Sequence, residues 1–134
     1  MAIKRIMVVD DSPTERAFIE NLLKKKGYDV VLVDSGEAAI ERSKSDQPDL
    51  ILMDVVMPRM NGFEACRRIR SGAATSRIPV IMVTTRGEIE SVEAGYQSGC
   101  ADYVIKPIDA QVLLAKVQSY LGETIDGGSD ARRS

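Results

Sequence analysis

Short aliphatic runs alternate with longer amphipathic segments five times along this chain, and that alternation constrains the fold more than any other feature. The runs Ile6 to Val9, Val30 to Val33, Leu50 to Met53, Val80 to Val83 and Tyr103 to Ile105 read as strands. Each is apolar without a break, the pattern of a strand covered on both faces, as in a parallel sheet. Helix starts are marked by capping-box spacing at Ser12 with Glu15, Asp34 with Glu37, Asn61 with Glu64 and Thr85 with Glu88. Each such cap contributes about 1 kcal/mol, and Pro13 suits a first helical turn. Helix ends agree: Gly27, Gly72, Gly99 and Gly122 follow four of them and Pro48 the remaining one, while Lys24, Lys25 and Lys26 complement a helix dipole. In the last helix Leu113, Val117, Tyr120 and Leu121, with Leu114 beside them, have the spacing of one buried face. The order βαβαβαβαβα predicts an α/β fold, a doubly wound five-stranded parallel sheet. Residues 1–122 read as one domain, and the polar, Gly-rich residues 123–134 as a flexible tail.

Composition narrows the chemistry. With 18 basic and 20 acidic residues the chain has no global field to attract nucleic acid or an anionic membrane. The absence of His excludes His-ligated zinc, catalytic triads and a phosphohistidine carrier, so chemistry falls to carboxylates, hydroxyls or lysine. Cys66 and Cys100 lie far apart in no C-x-x-C pattern, which points to a reducing cytoplasm and to two small buried hydrophobes. Apolar stretches reach only about six residues, too short for a signal peptide or a membrane span.

In an open parallel sheet the loops beyond the carboxyl ends of the strands form the site. The polar residues there are Asp10 and Asp11 after the first strand, Asp54 after the third, Thr84 and Thr85 after the fourth, and Lys106-Pro107 after the fifth. Carboxylates about 4 Å apart repel by roughly 4 kcal/mol per pair at an effective dielectric near 20, so a cation belongs among them. Mg²⁺, which takes one or two carboxylates, waters and a phosphate oxygen, fits better than a caged Ca²⁺. A metal, a lysine and a hydroxyl around a carboxylate are the requirements of phosphoryl transfer, and Asp54, alone after a central strand, can accept the group covalently.

These positions, with Met57-Pro58 and Asn61-Gly62 after Asp54, closely resemble the receiver domain of bacterial two-component response regulators over residues 3 to about 121. The resemblance implies a flavodoxin-like, CheY-like (βα)5 fold with strand order 2-1-3-4-5. It implies that Asp54 is the phospho-acceptor and that Asp10, Asp11, Asp54 and the backbone carbonyl of Val56 hold Mg²⁺, for which Mn²⁺ can substitute. Lys106 and Thr84, with Thr85 beside it, would bind the phosphoryl group, and Tyr103 would be the switch aromatic. Such a chain is not an enzyme in the ordinary sense but catalyses its own phosphorylation and dephosphorylation. The implied partners are a sensor histidine kinase or phosphotransfer protein and a downstream target that docks on the 88–121 face. With no DNA-binding domain and no membrane segment, a stand-alone CheY-like regulator in chemotaxis or surface motility is expected. The stretches Asp11 to Glu15 and Met53 to Pro58 are similar to twitching-motility members of the family. A cis peptide is expected between Lys106 and Pro107.

Two positions depart from chemotaxis-type relatives: Val56, two residues after the acceptor, cannot orient a water, and Arg86 could cover the phosphoryl group, so slow dephosphorylation is expected. Arg67, Arg68 and Arg70 share a helix with Glu64 and read as a solvated face. Among rivals, an Asp-based phosphatase needs Asp-x-Asp, but position 56 is Val, and neither a P-loop nor a dinucleotide glycine motif occurs. A phosphorylation-independent interaction module of the same fold would not require Asp10, Asp11, Asp54, Thr84 and Lys106 together.

Overall fold

The alternation is realised as five strands and five helices among residues 3–85 and 89–122, which a computed structural model describes. In chain order they are β1 (Arg5–Val9), α1 (Pro13–Lys25), β2 (Asp29–Val33), α2 (Gly36–Asp46), β3 (Leu50–Asp54), α3 (Gly62–Ser71), β4 (Val80–Thr84), α4 (Ile89–Gln97), β5 (Asp102–Ile105) and α5 (Ala110–Leu121). All strand pairs are parallel, in the order β2-β1-β3-β4-β5, as the resemblance implied.

Two hydrophobic clusters sandwich the sheet. One joins Met7, Met53 and Met82 to Ala65, Cys66 and Ile69 of α3 and to Tyr103. The other joins Ile6, Leu52 and Ile81 to Ile19 and Leu23 of α1 and to Leu113 and Val117 of α5. Strands β3 and β4 are buried throughout, as unbroken apolar runs require. The edge strand β2 departs from that expectation: Leu32 is exposed and Val30 and Val31 only half-buried. Its apolar run reflects β-branched propensity at a sheet edge more than complete cover.

The helix starts follow their caps with one correction. Ser12 Oγ accepts from the Glu15 amide and Asn61 Oδ1 from the Glu64 amide. In α2 the N-cap is Ser35, not Asp34: Ser35 Oγ accepts from the Ala38 amide at 3.1 Å. Both residues can cap, and the chain enters the helix one residue later than the Asp34–Glu37 spacing suggested. The Thr85–Glu88 pair cannot be compared, because Glu88 lies outside the described residues, as do Arg86 and residues 123–134. Gly27, Gly99 and Gly122 end helices with positive φ, whereas Gly72 is extended and Gln47 takes the left-handed conformation ahead of Pro48. Tyr120 does not join the buried face of α5. It is exposed, and its hydroxyl donates to the Ala101 carbonyl. Arg67 and Arg68 both pair with Glu64 on an exposed face, while Arg70 donates to the Ile78 carbonyl.

Candidate functional site

Parallel register carries the polar strand ends to one edge. Val9 pairs with Met53 and Asp54 with Val83, so Asp10 emerges beside Asp54 where the winding direction reverses. Thr84 pairs with Ile105, and the Lys106 amide donates to the Thr84 carbonyl at 2.8 Å, which sets the lysine at the same rim. Carboxylate oxygens of Asp10, Asp11 and Asp54 all lie within 4.8 Å of one another. Lys106 Nζ lies 3.3 Å from Asp10, 3.5 Å from Glu15 and 3.7 Å from Asp54. The Lys106–Pro107 peptide is cis, as expected.

Burial makes this cluster electrostatically unusual. Asp10 and Asp54 are buried, whereas Asp11 faces solvent. Asp54 is pushed up to about 6, first by burial and then by the neighbouring Asp10 charge, against the pull of Lys106 and of the Val55 and Val56 backbone amides. Burial works to lower the Lys106 ammonium, but Asp54, Asp10 and Glu15 outweigh it and raise it above its usual value. Asp10 is further fixed from its own loop: its Oδ1 accepts from the Ser12 amide at 2.9 Å and its carbonyl from Arg16 at 2.7 Å.

Three hard oxygen donors around one ammonium suit a small divalent cation, since a single lysine cannot neutralise three carboxylates packed this closely. The residues therefore fit Mg²⁺. The chemistry available to the arrangement is that of an anionic nucleophile held among a cation site, an ammonium and a hydroxyl.

The remaining expected residues are distributed around this centre. Thr84 is fully buried at the end of β4, and Thr85 is exposed in the bend beyond it. The Val56 side chain is exposed on the loop after Asp54. Tyr103 is buried, its ring tilted at 48° to that of Tyr96 with centroids 6.3 Å apart. Room for it comes from Gly95 on α4, where a Cβ would lie 2.5 Å from Tyr103 Cε2. Cys66 and Cys100 are free and buried, and burial raises both thiols, Cys100 to about 12. Such thiols are poor nucleophiles.

Two participants were not visible as such in the sequence. Glu15 carried a capping signal, yet its carboxylate reaches Lys106, because the Ser12 amide that it would have capped is taken by Asp10. Gly62 carried only the Asn-Gly motif, but it packs against the backbone of Asp54.

Comparison with known proteins agrees with this geometry. A family model described as the response regulator receiver domain matches residues 6–118. The chain is 40% identical over 117 residues to protein PilH of Pseudomonas aeruginosa, covering 87% of this chain and 97% of that protein. Several other curated relatives are longer, and the chain spans about half their length. Among solved structures, the receiver domain of sensor histidine kinase PA1611 from Pseudomonas aeruginosa, described with magnesium coordinated in its active site cleft, superposes with a TM-score of 0.84 at 33% identity. That match covers 91% of this chain and all of the other. Chemotaxis protein CheY4 of Vibrio cholerae gives 0.85 at 29% identity, over 89% of this chain and 99% of its own.

Proposed function

The chain belongs to the response regulator receiver domain family, and on that premise we propose that it accepts a phosphoryl group on Asp54 and signals through the change this causes. The observation that carries the reading is the contact set of Lys106, whose ammonium lies within 4 Å of both Asp54 and Asp10 at the site where the three carboxylates converge. Asp10, Asp11 and Asp54, with the Val56 carbonyl, would hold Mg²⁺, which when bound supplies charge neutralisation at the phosphoryl oxygens.

The protein's own groups do the rest. Asp54 is the nucleophile: a carboxylate oxygen attacks phosphorus in line, the bond to the donor breaks, and an imidazole donor leaves as neutral histidine after taking a proton from water. These 134 residues contain no histidine, so the phosphohistidine would come from a sensor kinase or phosphotransfer protein. Lys106 would meet the incoming phosphoryl oxygens, and Thr84 would offer its hydroxyl from the adjacent strand end. Because both terminate strands bordering α4, β5 and α5, a group that pulls on them biases that face between two states, and Tyr103, buried there, would follow. A downstream partner would dock on this face. The similarity to PilH favours a role in surface motility over other phosphorelays. Both cysteines are free, which supports a reducing, cytoplasmic setting. Among the described residues no helix is long and apolar enough to cross a membrane.

Incubation with acetyl phosphate and Mg²⁺, followed by mass spectrometry with site location, tests the proposal. One phosphoryl group on Asp54 is expected. Labelling of the Asp54→Asn variant under the same conditions overturns the assignment, and continuous turnover of acetyl phosphate without a labelled chain indicates a phosphatase.

A further inference from the structure

Lys106 makes one contact more than the phosphoryl-transfer reading asks of it. Its Nζ is nearer to Glu15, at 3.5 Å, than to Asp54, at 3.7 Å, although Glu15 lies outside the three-carboxylate cluster. Glu15 stands in the first turn of α1, where its own amide donates to Ser12 Oγ and fixes the start of the side chain. The usual return contact from a residue at this place, to the backbone N–H of the cap, is blocked because Asp10 Oδ1 already accepts from the Ser12 amide at 2.9 Å. The carboxylate turns instead into a cleft of about 210 Å³ that it lines together with Phe18, Lys106, Pro107 and Ile108. Its side chain is 40% exposed, against 13% for Lys106 and 2% for Asp10, so it approaches the ammonium from the solvent side while Asp10 and Asp54 hold it from within.

We infer that Glu15 is a positioning residue that competes with the phosphoryl group for Lys106 and thereby weakens the hold of the site on that group. The inference rests on the proposed receiver chemistry and deepens it. Three carboxylates share this one ammonium, Asp10 through a hydrogen bond at 3.3 Å and Glu15 and Asp54 as ion pairs at 3.5 and 3.7 Å. A phosphoryl group on Asp54 adds oxygens of higher charge, so one existing contact must yield. Asp10 is buried, and its Oδ2 would lose the hydrogen bond from Lys106 without gaining water, whereas Glu15 is rehydrated as it lets go. Glu15 is therefore the contact that gives way, and its loss, together with the proximity of its charge to the new dianion, opposes phosphoryl binding.

Beryllofluoride with Mg²⁺, a non-covalent stand-in for the phosphoryl group, gives the test by calorimetric titration. Glu15→Gln is expected to lower the half-saturating beryllofluoride concentration three- to tenfold, while Mg²⁺ affinity measured without beryllofluoride stays within twofold. Glu15→Asp keeps the charge but is one methylene shorter, so it should shift in the same direction. Binding by Glu15→Gln within twofold of the unaltered protein, or weaker, overturns the inference. So does an equal shift in Mg²⁺ affinity, which would make Glu15 part of the metal site, or tightening in Glu15→Gln with none in Glu15→Asp, which would leave only a distant charge effect. If the unaltered protein binds no beryllofluoride, or binds it equally well as Asp54→Asn, the receiver reading itself fails and takes the inference with it. That result is distinct from normal binding left unchanged at position 15.

Discussion

Gly62 lies so close to the backbone carbonyl of Asp54 that a Cβ at position 62 would overlap its oxygen. The Gly62 amide also donates to the Val55 carbonyl at 2.8 Å, so the first turn of α3 is clamped onto the end of β3. The direction in which Asp54 enters the site is thus set by backbone contact with a residue eight positions later.

Gly62→Ala should consequently cost about 1–3 kcal/mol, because backbone cannot yield as a flexible side chain does. Urea denaturation measures that loss, and beryllofluoride binding should weaken alongside it as Asp54 is displaced. A variant of unchanged stability and binding would show that the loop relaxes without moving Asp54.

Ionised Asp54 is a load on the metal-free fold. Its pKa rises from 3.8 to about 6 on folding, so the folded state favours the neutral form. The stability this gives is fully present below the unfolded value and is lost as pH rises through about 6. Asp54→Asn, neutral at every pH, should therefore stabilise the protein in EDTA by on the order of 2–3 kcal/mol at pH 8, with the gain falling below about 1 kcal/mol near pH 4 and vanishing at about pH 3. Denaturation of both proteins across that range checks the slope, and a gain independent of pH would contradict it.

Removing Asp11 relieves repulsion and subtracts a candidate metal ligand. Since Asp11 faces solvent, Asp11→Ala should leave the metal-free fold as stable or more so while reducing Mg²⁺ affinity at least about tenfold. Calorimetric titration with Mg²⁺ gives the answer, and unchanged affinity would remove Asp11 from the metal site.

A glycine in the middle of a helix costs about 1 kcal/mol relative to alanine, and at position 95 that cost is offset by the burial of Tyr103 against it. Gly95→Ala should drive the Tyr103 ring toward solvent, because the ring is the part that can move. Fluorotyrosine NMR, with the Tyr103 resonance assigned through Tyr103→Phe, should show a shift toward the exposed value. No shift would mean that α4 moves instead.

Arg59 adopts φ 69°, a left-handed conformation that a residue with a Cβ occupies at a cost. Its 3.5 Å pair with Glu37 joins two exposed groups and adds little. Arg59→Gly should raise the melting temperature, by about 0.5–1 kcal/mol in stability after allowing for the more flexible unfolded chain. A fall would show that the Arg59 side chain contributes more than its geometry suggests.

The sequence by itself determined the order of elements and the identities of Asp10, Asp11, Asp54, Thr84 and Lys106. Unbroken apolar runs, caps such as Ser12 and Asn61, and Gly27 and Gly99 act through bonds and burial within a few residues, and such signals survive in a linear string. Local chemistry was already ambiguous at Asp34 and Ser35, two competent caps side by side, of which the folded chain uses the second. Only the tertiary structure decided the partial exposure of β2, the seating of Tyr103 against Gly95, the approach of Gly62 to Asp54 and the reach of Glu15 to Lys106, 91 residues away. Each of these depends on how closely two elements pack, and that distance is fixed by the shapes of side chains across the interface, which no local pattern encodes.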